Sequence, residues 1–325
     1  PSGTCINQMA MFPRPAAFSR RVSAHPDAPI TGIALIIAAA ILIPISDGFA
    51  KILAGYLPAV QIVWLRYGLQ TLLIVPFALW WHGSRIFYPA NPWTQAVRSV
   101  LITCAAFCFF SAVRTIPLAD AVAVFFINPF IVTALSPLLL GERIGVWRWS
   151  AVVAGFVGTM ILVRPGFEVL DIGHLYAMGA GTAFALFVLA TRRLAGGDPP
   201  LVTTFLTGSG AFLLTSFAMP FVWTDMTMAH VWPMVGMGGL GCFFSMFVIL
   251  AYERASASQL APFGYVEIAA AAAVGWLMFG DFPDAISWVG IAVIVASGII
   301  IAWREARLAR RERLAMGARA ERQVP

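Results

Sequence analysis

About ten apolar segments, each long enough to cross a lipid bilayer, follow one another along this chain, and the last five repeat the first five. Ala112–Ile161 aligns with Ala251–Ile300 at a constant offset of 139 residues with no gap, which puts Leu140-Gly141-Glu142 on Phe279-Gly280-Asp281 and Trp149 on Trp288. Five is an odd number, so the second copy enters the membrane upside down relative to the first. The expected fold is an all-α integral membrane protein of ten transmembrane helices, arranged as two inverted five-helix repeats. That plan is used by secondary carriers, which move a solute without making or breaking bonds.

Composition leaves no room for a soluble domain, since 60% of the 325 residues are hydrophobic and 11% are charged. The expected spans are Ile30–Ala50, Pro58–Trp81, Thr94–Thr115, Pro117–Leu140, Val146–Val163, Ile172–Thr191, Leu201–Trp223, Val231–Tyr252, Ser258–Phe279 and Ala285–Trp303. They divide the chain into an N-terminal tail (1–29), a first repeat (30–164), a second repeat (172–303) and a basic C-terminal tail (304–325). Met9 and Met11 are candidate start residues, and the first span is expected to be retained rather than cleaved.

The net charge of +6 would suit a nucleic-acid binder, but its placement argues for a membrane. With ten spans both tails share one side, and 17 of the 21 basic residues fall there, Arg85, Arg98, Arg143, Arg192, Arg193 and Arg254 among them. The opposite side keeps Lys51, Arg114 and Arg164, and Arg66 lies inside a span. Basic residues favour the cytoplasmic face, so both termini are expected there, in a bacterial inner membrane. The seven tail arginines from Arg304 to Arg322 read as a topology anchor rather than as a lipid-binding helix.

The run Pro129…Pro137-Leu138-Leu139-Leu140-Gly141-Glu142-Arg143, followed by Trp147, Gly155, Gly158 and Leu162-Val163-Arg164-Pro165-Gly166, resembles the EamA domain of the drug/metabolite transporter superfamily. Ala261-Pro262-Phe263, Phe279-Gly280-Asp281, Gly290 and Gly298 look like the same domain again, with Asp281 where that family usually has glutamate. The resemblance implies a ten-helix carrier with both termini inside. It is closest in kind to aromatic-amino-acid exporters, with riboflavin and S-adenosylmethionine carriers as similar two-domain members.

An ionisable side chain at the bilayer centre costs about 2.5–3.5 kcal/mol, so such residues mark candidate sites. Glu267 lies nine residues into the ninth span, about 14 Å deep. Its repeat partner is Asn128, at the matching depth in the fourth span. Inverted repeats place the substrate between the halves at this level, so both residues are candidates to face it; the alternatives are a protonated Glu267 bonded to a neighbouring backbone carbonyl and an Asn128 that stitches two helices together. Pro129, Pro262 and Pro44 are expected to leave the carbonyls of Phe125, Ser258 and Ala40 without their helical partners. Trp64, Tyr67, Phe125, Phe126, Phe263 and Tyr265 cluster in sequence around the polar positions and are candidates for an aromatic cavity wall.

Asp47, Lys51 and Arg66 form a second constellation. Asp47 and Lys51 share a helical face, and Arg66 lies about 12 Å in from the same side, so an Asp47–Arg66 pair serves either as a gate or as a static ion pair. Glu142 and Asp281 are expected to cap the helices that follow them. The cysteines, Cys5, Cys104, Cys108 and Cys242, read as packing residues.

Enzyme readings lack their motifs. His25, His82, His174 and His230 hold no metal-ligand spacing, and no glycine loop with lysine is present to cradle a phosphate. The expectation is therefore a non-enzymatic carrier without cofactor or metal. It handles a small molecule in a lipid bilayer, binds no nucleic acid and functions as a monomer. Amino-acid export is the leading expectation. Import of a larger metabolite such as riboflavin or S-adenosylmethionine is its rival, and a membrane-embedded enzyme or scaffold is the alternative of another class.

Overall fold

A computed structural model describes residues 29–140, 146–163, 171–193, 198–255 and 257–321. The expected cap at Glu142, the Arg164-Pro165-Gly166 motif, the candidate start residues and the N-terminal tail lie outside the described residues. Among the described residues every regular element is helical. The first half contributes α1 (Pro29–Ala54), α2 (Ala59–His82), a 3-10 turn (Gly83–Phe87), α3 (Pro92–Ala112), α4 (Leu118–Phe125), α5 (Asn128–Leu140) and α6 (Val146–Val163). The second contributes α7 (Ile172–Arg193), α8 (Pro200–Ser216), α9 (Met219–Val222), α10 (Met228–Arg254), α11 (Ala257–Gly264), α12 (Val266–Phe279) and α13 (Ala285–Glu321).

Seven stretches are long and apolar enough to cross a membrane: 30–54, 59–87, 92–112, 118–139, 172–192, 228–254 and 262–279. The expected fifth, seventh and tenth spans are also helical, but the apolar parts of α6 (152–161) and α13 (285–300) are shorter and α8 has 17 residues. The tenth helix does not stop at Trp303. It runs on to Glu321, with the Arg307 guanidinium 3.6 Å from the Trp303 ring centre.

The repeat is visible in the secondary structure itself. Both the fourth and the ninth segments are broken helices, and α4 and α11 cover the same eight repeat positions at the 139-residue offset. In the first half the break falls at Phe126-Ile127, and in the second at Tyr265. The packing repeats as well. Helix α1 lies against α10, and the exchange of halves turns that contact into α7 against α3, which is also present. The contacts α2 with α8 and α6 with α13 map onto themselves under the same exchange.

One buried cluster seals the end of the bundle where α1 finishes. Ala50, Leu53, Ala54 and Leu57 meet Ile62 and Val63 of α2, Ala112 of α3 and the Val113 that follows it, and Leu118 and Ala121 of α4. Polar ties close the same end. The Gln61 side chain donates to the Thr224 carbonyl (2.9 Å) and accepts from the Thr224 amide (3.0 Å). Asp171, just before α7, accepts from the Gly173 amide at 2.6 Å. That bond first, and the Thr115 hydroxyl second, hold its carboxyl below the usual carboxylate range.

Gly298 shows why some positions admit no side chain. A Cβ there would overlap the Tyr265 phenol, so α13 approaches the helix break only through glycine. Gly298→Val should destabilise the protein by about 1–3 kcal/mol through overpacking. Thermal melting in detergent measures this. Gly264→Ala, with nothing within 4 Å of its Cβ position, is the matched control and should melt close to wild type.

Candidate functional site

The two helix breaks meet around a cavity of about 550 Å³. Its lining includes Ile36 to Asp47 of α1, Arg66 to Gln70 of α2, Arg98 to Phe110 of α3, and Gly241 to Tyr252 of α10. The lining runs from mid-bundle toward the side where α1 begins, and Tyr252, which is 49% exposed, stands at that side as the mouth. The opposite side is the sealed end described above. The cavity is therefore one-sided, reaching from the middle of the bundle to the end that carries both described termini.

The wall is aromatic. Phe109, Phe110, Phe125, Phe126, Phe184 and Phe187 line it, and successive rings touch: Phe109 and Phe125 at 5.7 Å, Phe125 and Phe184 at 5.2 Å, Phe184 and Phe187 at 5.7 Å. Edge and tilted contacts of this kind favour a planar guest that presents a π-face.

At the deep end sit three charged groups. Arg66 Nη1 donates to Asp47 Oδ1 at 2.7 Å, with side-chain exposures of 12% and 6%. The guanidinium also lies 5.4 Å from the centre of the Phe110 ring. Glu267 lines the same cavity and interacts electrostatically with both Asp47 and Arg66. It makes no hydrogen bond or ion pair with the described residues. One guanidinium, paired to Asp47, thus stands in the same pocket as two carboxyl groups, and the unpaired acid is Glu267. It occupies the first turn of α12, where the positive end of the helix dipole favours a carboxylate by about 0.3–1 kcal/mol.

Asn128 also lines the cavity and begins α5, but its amide works locally, with Nδ2 donating to the Phe125 carbonyl at 2.9 Å. That bond corrects the expectation of a free carbonyl at Phe125. Pro129 falls in the first turn of a new helix rather than in the interior of a continuous one, and the asparagine caps the acceptor that the break releases.

Of the aromatic residues expected in the wall, Tyr67, Phe125 and Phe126 line the cavity. Trp64, Phe263 and Tyr265 do not. Trp64 donates to the Ser216 hydroxyl at 2.8 Å and packs on Phe212 and Trp223, at the α2–α8 seam. Tyr265 packs at a tilt on Phe126, ring centres 5.3 Å apart, and points its hydroxyl toward α13. It stands at the break, behind the wall rather than in it. Phe263 is half-buried outside the lining.

The Asp47–Lys51–Arg66 constellation divides. Lys51, one turn beyond Asp47, donates to Asp281 Oδ2 at 2.7 Å and to the Ile116 carbonyl at 3.3 Å, and lies 4.8 Å from the centre of the Phe279 ring. Asp281 therefore does not cap α13 as expected. Asp284 caps it instead, accepting from the Ser287 amide at 2.8 Å. The Lys51–Asp281 pair ties the two halves across the sealed end. With the Asp281 side chain 35% exposed, it stabilises by about 1 kcal/mol or less. Asp281→Asn should leave melting nearly unchanged but loosen the seal about fivefold. The labelling rate of a thiol placed by Ala54→Cys, now 1% exposed, reads this directly.

Sequence reasoning missed the mouth. The charge count put Arg98 on the tail-side surface, whereas the structure buries it within α3 at 5% exposure. Gln70, Thr207 and the phenylalanines of α3 and α7 were likewise not singled out. Arg98 carried a signal, because it lies inside an apolar span as Arg66 does.

Comparison with known proteins agrees with this architecture. A solved structure superposes with a TM-score of 0.61 at 19% identity, covering 86% of this chain and 99% of that one, which shows the shared fold. A riboflavin transporter of Rhizobium johnstonii is 28% identical over 263 residues (78% of this chain, 84% of the relative). An S-adenosylmethionine uptake transporter of Rickettsia prowazekii is 21% identical over 276 residues (85% and 94%). The pseudopaline exporter CntI of Pseudomonas aeruginosa is 28% identical over 281 residues (83% and 95%). The EamA-like transporter family model matches twice, at residues 30–164 and 171–303, so the chain belongs to the EamA-like transporter family.

Proposed function

We propose that this protein is a secondary carrier that moves a ring-bearing organic metabolite across a bacterial inner membrane by alternating access. The carrying observation is the surplus acid: Glu267 faces a phenylalanine-walled cavity in which Arg66 is already matched by Asp47. A half-buried carboxyl group without a fixed partner is available to a cationic substrate group or to a proton exchanged for substrate. The two five-helix halves rock about this point in ten crossings, with both termini cytoplasmic, so the cavity as it stands faces inward. Asp47 and Arg66 hold the floor, Asn128 and Tyr265 fix the two helix breaks, Tyr67 and Phe126 contact substrate, and Lys51 with Asp281 closes the outer side. The working unit proposed is a monomer.

A volume of about 550 Å³ lies well within the ~300–1,000 Å³ of ligand pockets and favours a metabolite larger than a single amino acid. The relatives named for riboflavin, S-adenosylmethionine and pseudopaline support the same size class, in both transport directions. Amino-acid export is a narrower reading than these observations carry. Uptake of labelled riboflavin, S-adenosylmethionine and phenylalanine into proteoliposomes tests the proposal. The expected result is saturable flux of a larger compound. Flux of phenylalanine alone would restore the amino-acid reading, and absence of all flux would favour a membrane-embedded enzyme or scaffold.

A further inference from the structure

We propose that Arg98 is an oxyanion-binding pole at the mouth of the cavity, so that the substrate carries a carboxylate or phosphate at the end remote from Glu267. The inference rests on the carrier reading and deepens it. Arg98 lines the cavity while buried in α3. Its guanidinium has five N–H donors. Nε donates to the Thr191 hydroxyl at 3.0 Å and Nη1 to the Gln95 side-chain oxygen at 2.9 Å, and the group lies 5.1 Å from the centre of the Phe187 ring. Both acceptors are neutral. Among the described residues no carboxylate comes within ion-pair distance. Asp198 acts on Arg98 only from further off, since its Oδ2 is taken up by Gln95 Nε2 at 3.2 Å.

A buried guanidinium held in place by neutral groups is oriented but not neutralised, and its remaining donors suit the fork geometry of a carboxylate or phosphate. Two further observations point to a polar guest. Thr207 lines the cavity with its hydroxyl buried and without a hydrogen-bond partner. Arg192 acts electrostatically on Tyr252 at the mouth, adding positive potential there.

Spacing then constrains the guest. Arg66 stands over Phe110, which is twelve positions along α3 from Arg98, about 18 Å of helix. A compact zwitterion cannot reach both poles. An elongated molecule can, with its ring among Phe109, Phe125 and Phe184 and its oxyanion at Arg98.

Binding to the purified full-length protein tests this with two probe pairs that differ in the anion alone. Riboflavin against flavin mononucleotide reads a phosphate, and decarboxylated S-adenosylmethionine against S-adenosylmethionine reads a carboxylate. In the wild type the anionic member of at least one pair should bind roughly tenfold tighter or more. The pair that shows it names the source. Arg98→Gln should bring that ratio to about one, and Arg98→Lys, which keeps charge but loses the fork, should reduce it several-fold at wild-type melting temperature. Equal binding or no binding within both pairs in the wild type, or a ratio unchanged in either variant, overturns the anion pole. The carrier reading falls separately, if the wild type shows no flux or if Glu267→Gln keeps wild-type flux, neither of which this binding ratio uses.

Discussion

Glu267→Gln should reduce transport roughly 10- to 100-fold, the loss expected when one charge-assisted contact to substrate or proton is removed, while the protein still inserts and melts near wild type. The argument is one of charge balance. Arg66 already holds Asp47 at 2.7 Å, so the structure does not need a second acid there. Replacing the Glu267 acid by its amide leaves the Arg66–Asp47 pair in place and strands no cation. A substitution that removes function without lowering stability is the signature of a site residue. Flux into proteoliposomes, normalised to reconstituted protein, reads the first effect and detergent melting the second. Wild-type flux in Glu267→Gln ends the assignment.

The converse holds for Arg66. Arg66→Ala leaves two acids, Asp47 at 4% exposure and Glu267, facing an aromatic wall without a cation. Breaking one side of a buried pair costs about 3–5 kcal/mol, so a large fall in melting temperature is expected. Adding Asp47→Asn to Arg66→Ala should recover most of the stability, because both halves of the pair are then gone, but should not recover transport. An Arg66→Ala variant that melts like the wild type would mean that water, rather than the ion pair, satisfies both groups.

The repeat was legible in the sequence because helical breaks and depth follow register. Glu267 and Asn128 share a position at the 139-residue offset, and the structure brings both to the same cavity. The Asp47–Arg66 pair was legible because both are charges within apolar spans, entered from one side at matching depth. What sequence proximity did not convey was facing direction. Trp64 and Tyr67 are three residues apart, yet one bonds Ser216 at a helix seam and the other lines the cavity. Tyr265 is the residue of the break itself, and the backbone turn there sends the phenol toward Gly298. Lys51 shares a face with Asp47, but its reach along the axis carries it to Asp281. Residues distant in sequence that complete a surface, such as Phe184 and Thr207, have no local pattern to announce them.

Gly264 offers the most direct test of alternating access. It lines the cavity within one turn of Glu267, and nothing lies within 4 Å of its Cβ position, so a thiol placed by Gly264→Cys fits without repacking. With the native cysteines replaced, a membrane-impermeant maleimide is applied to right-side-out and to inverted vesicles. Two halves rocking about a central cavity predict modification from both faces, with flavin mononucleotide or S-adenosylmethionine slowing each if bound. Modification from one face alone, in a protein competent for flux, would contradict it.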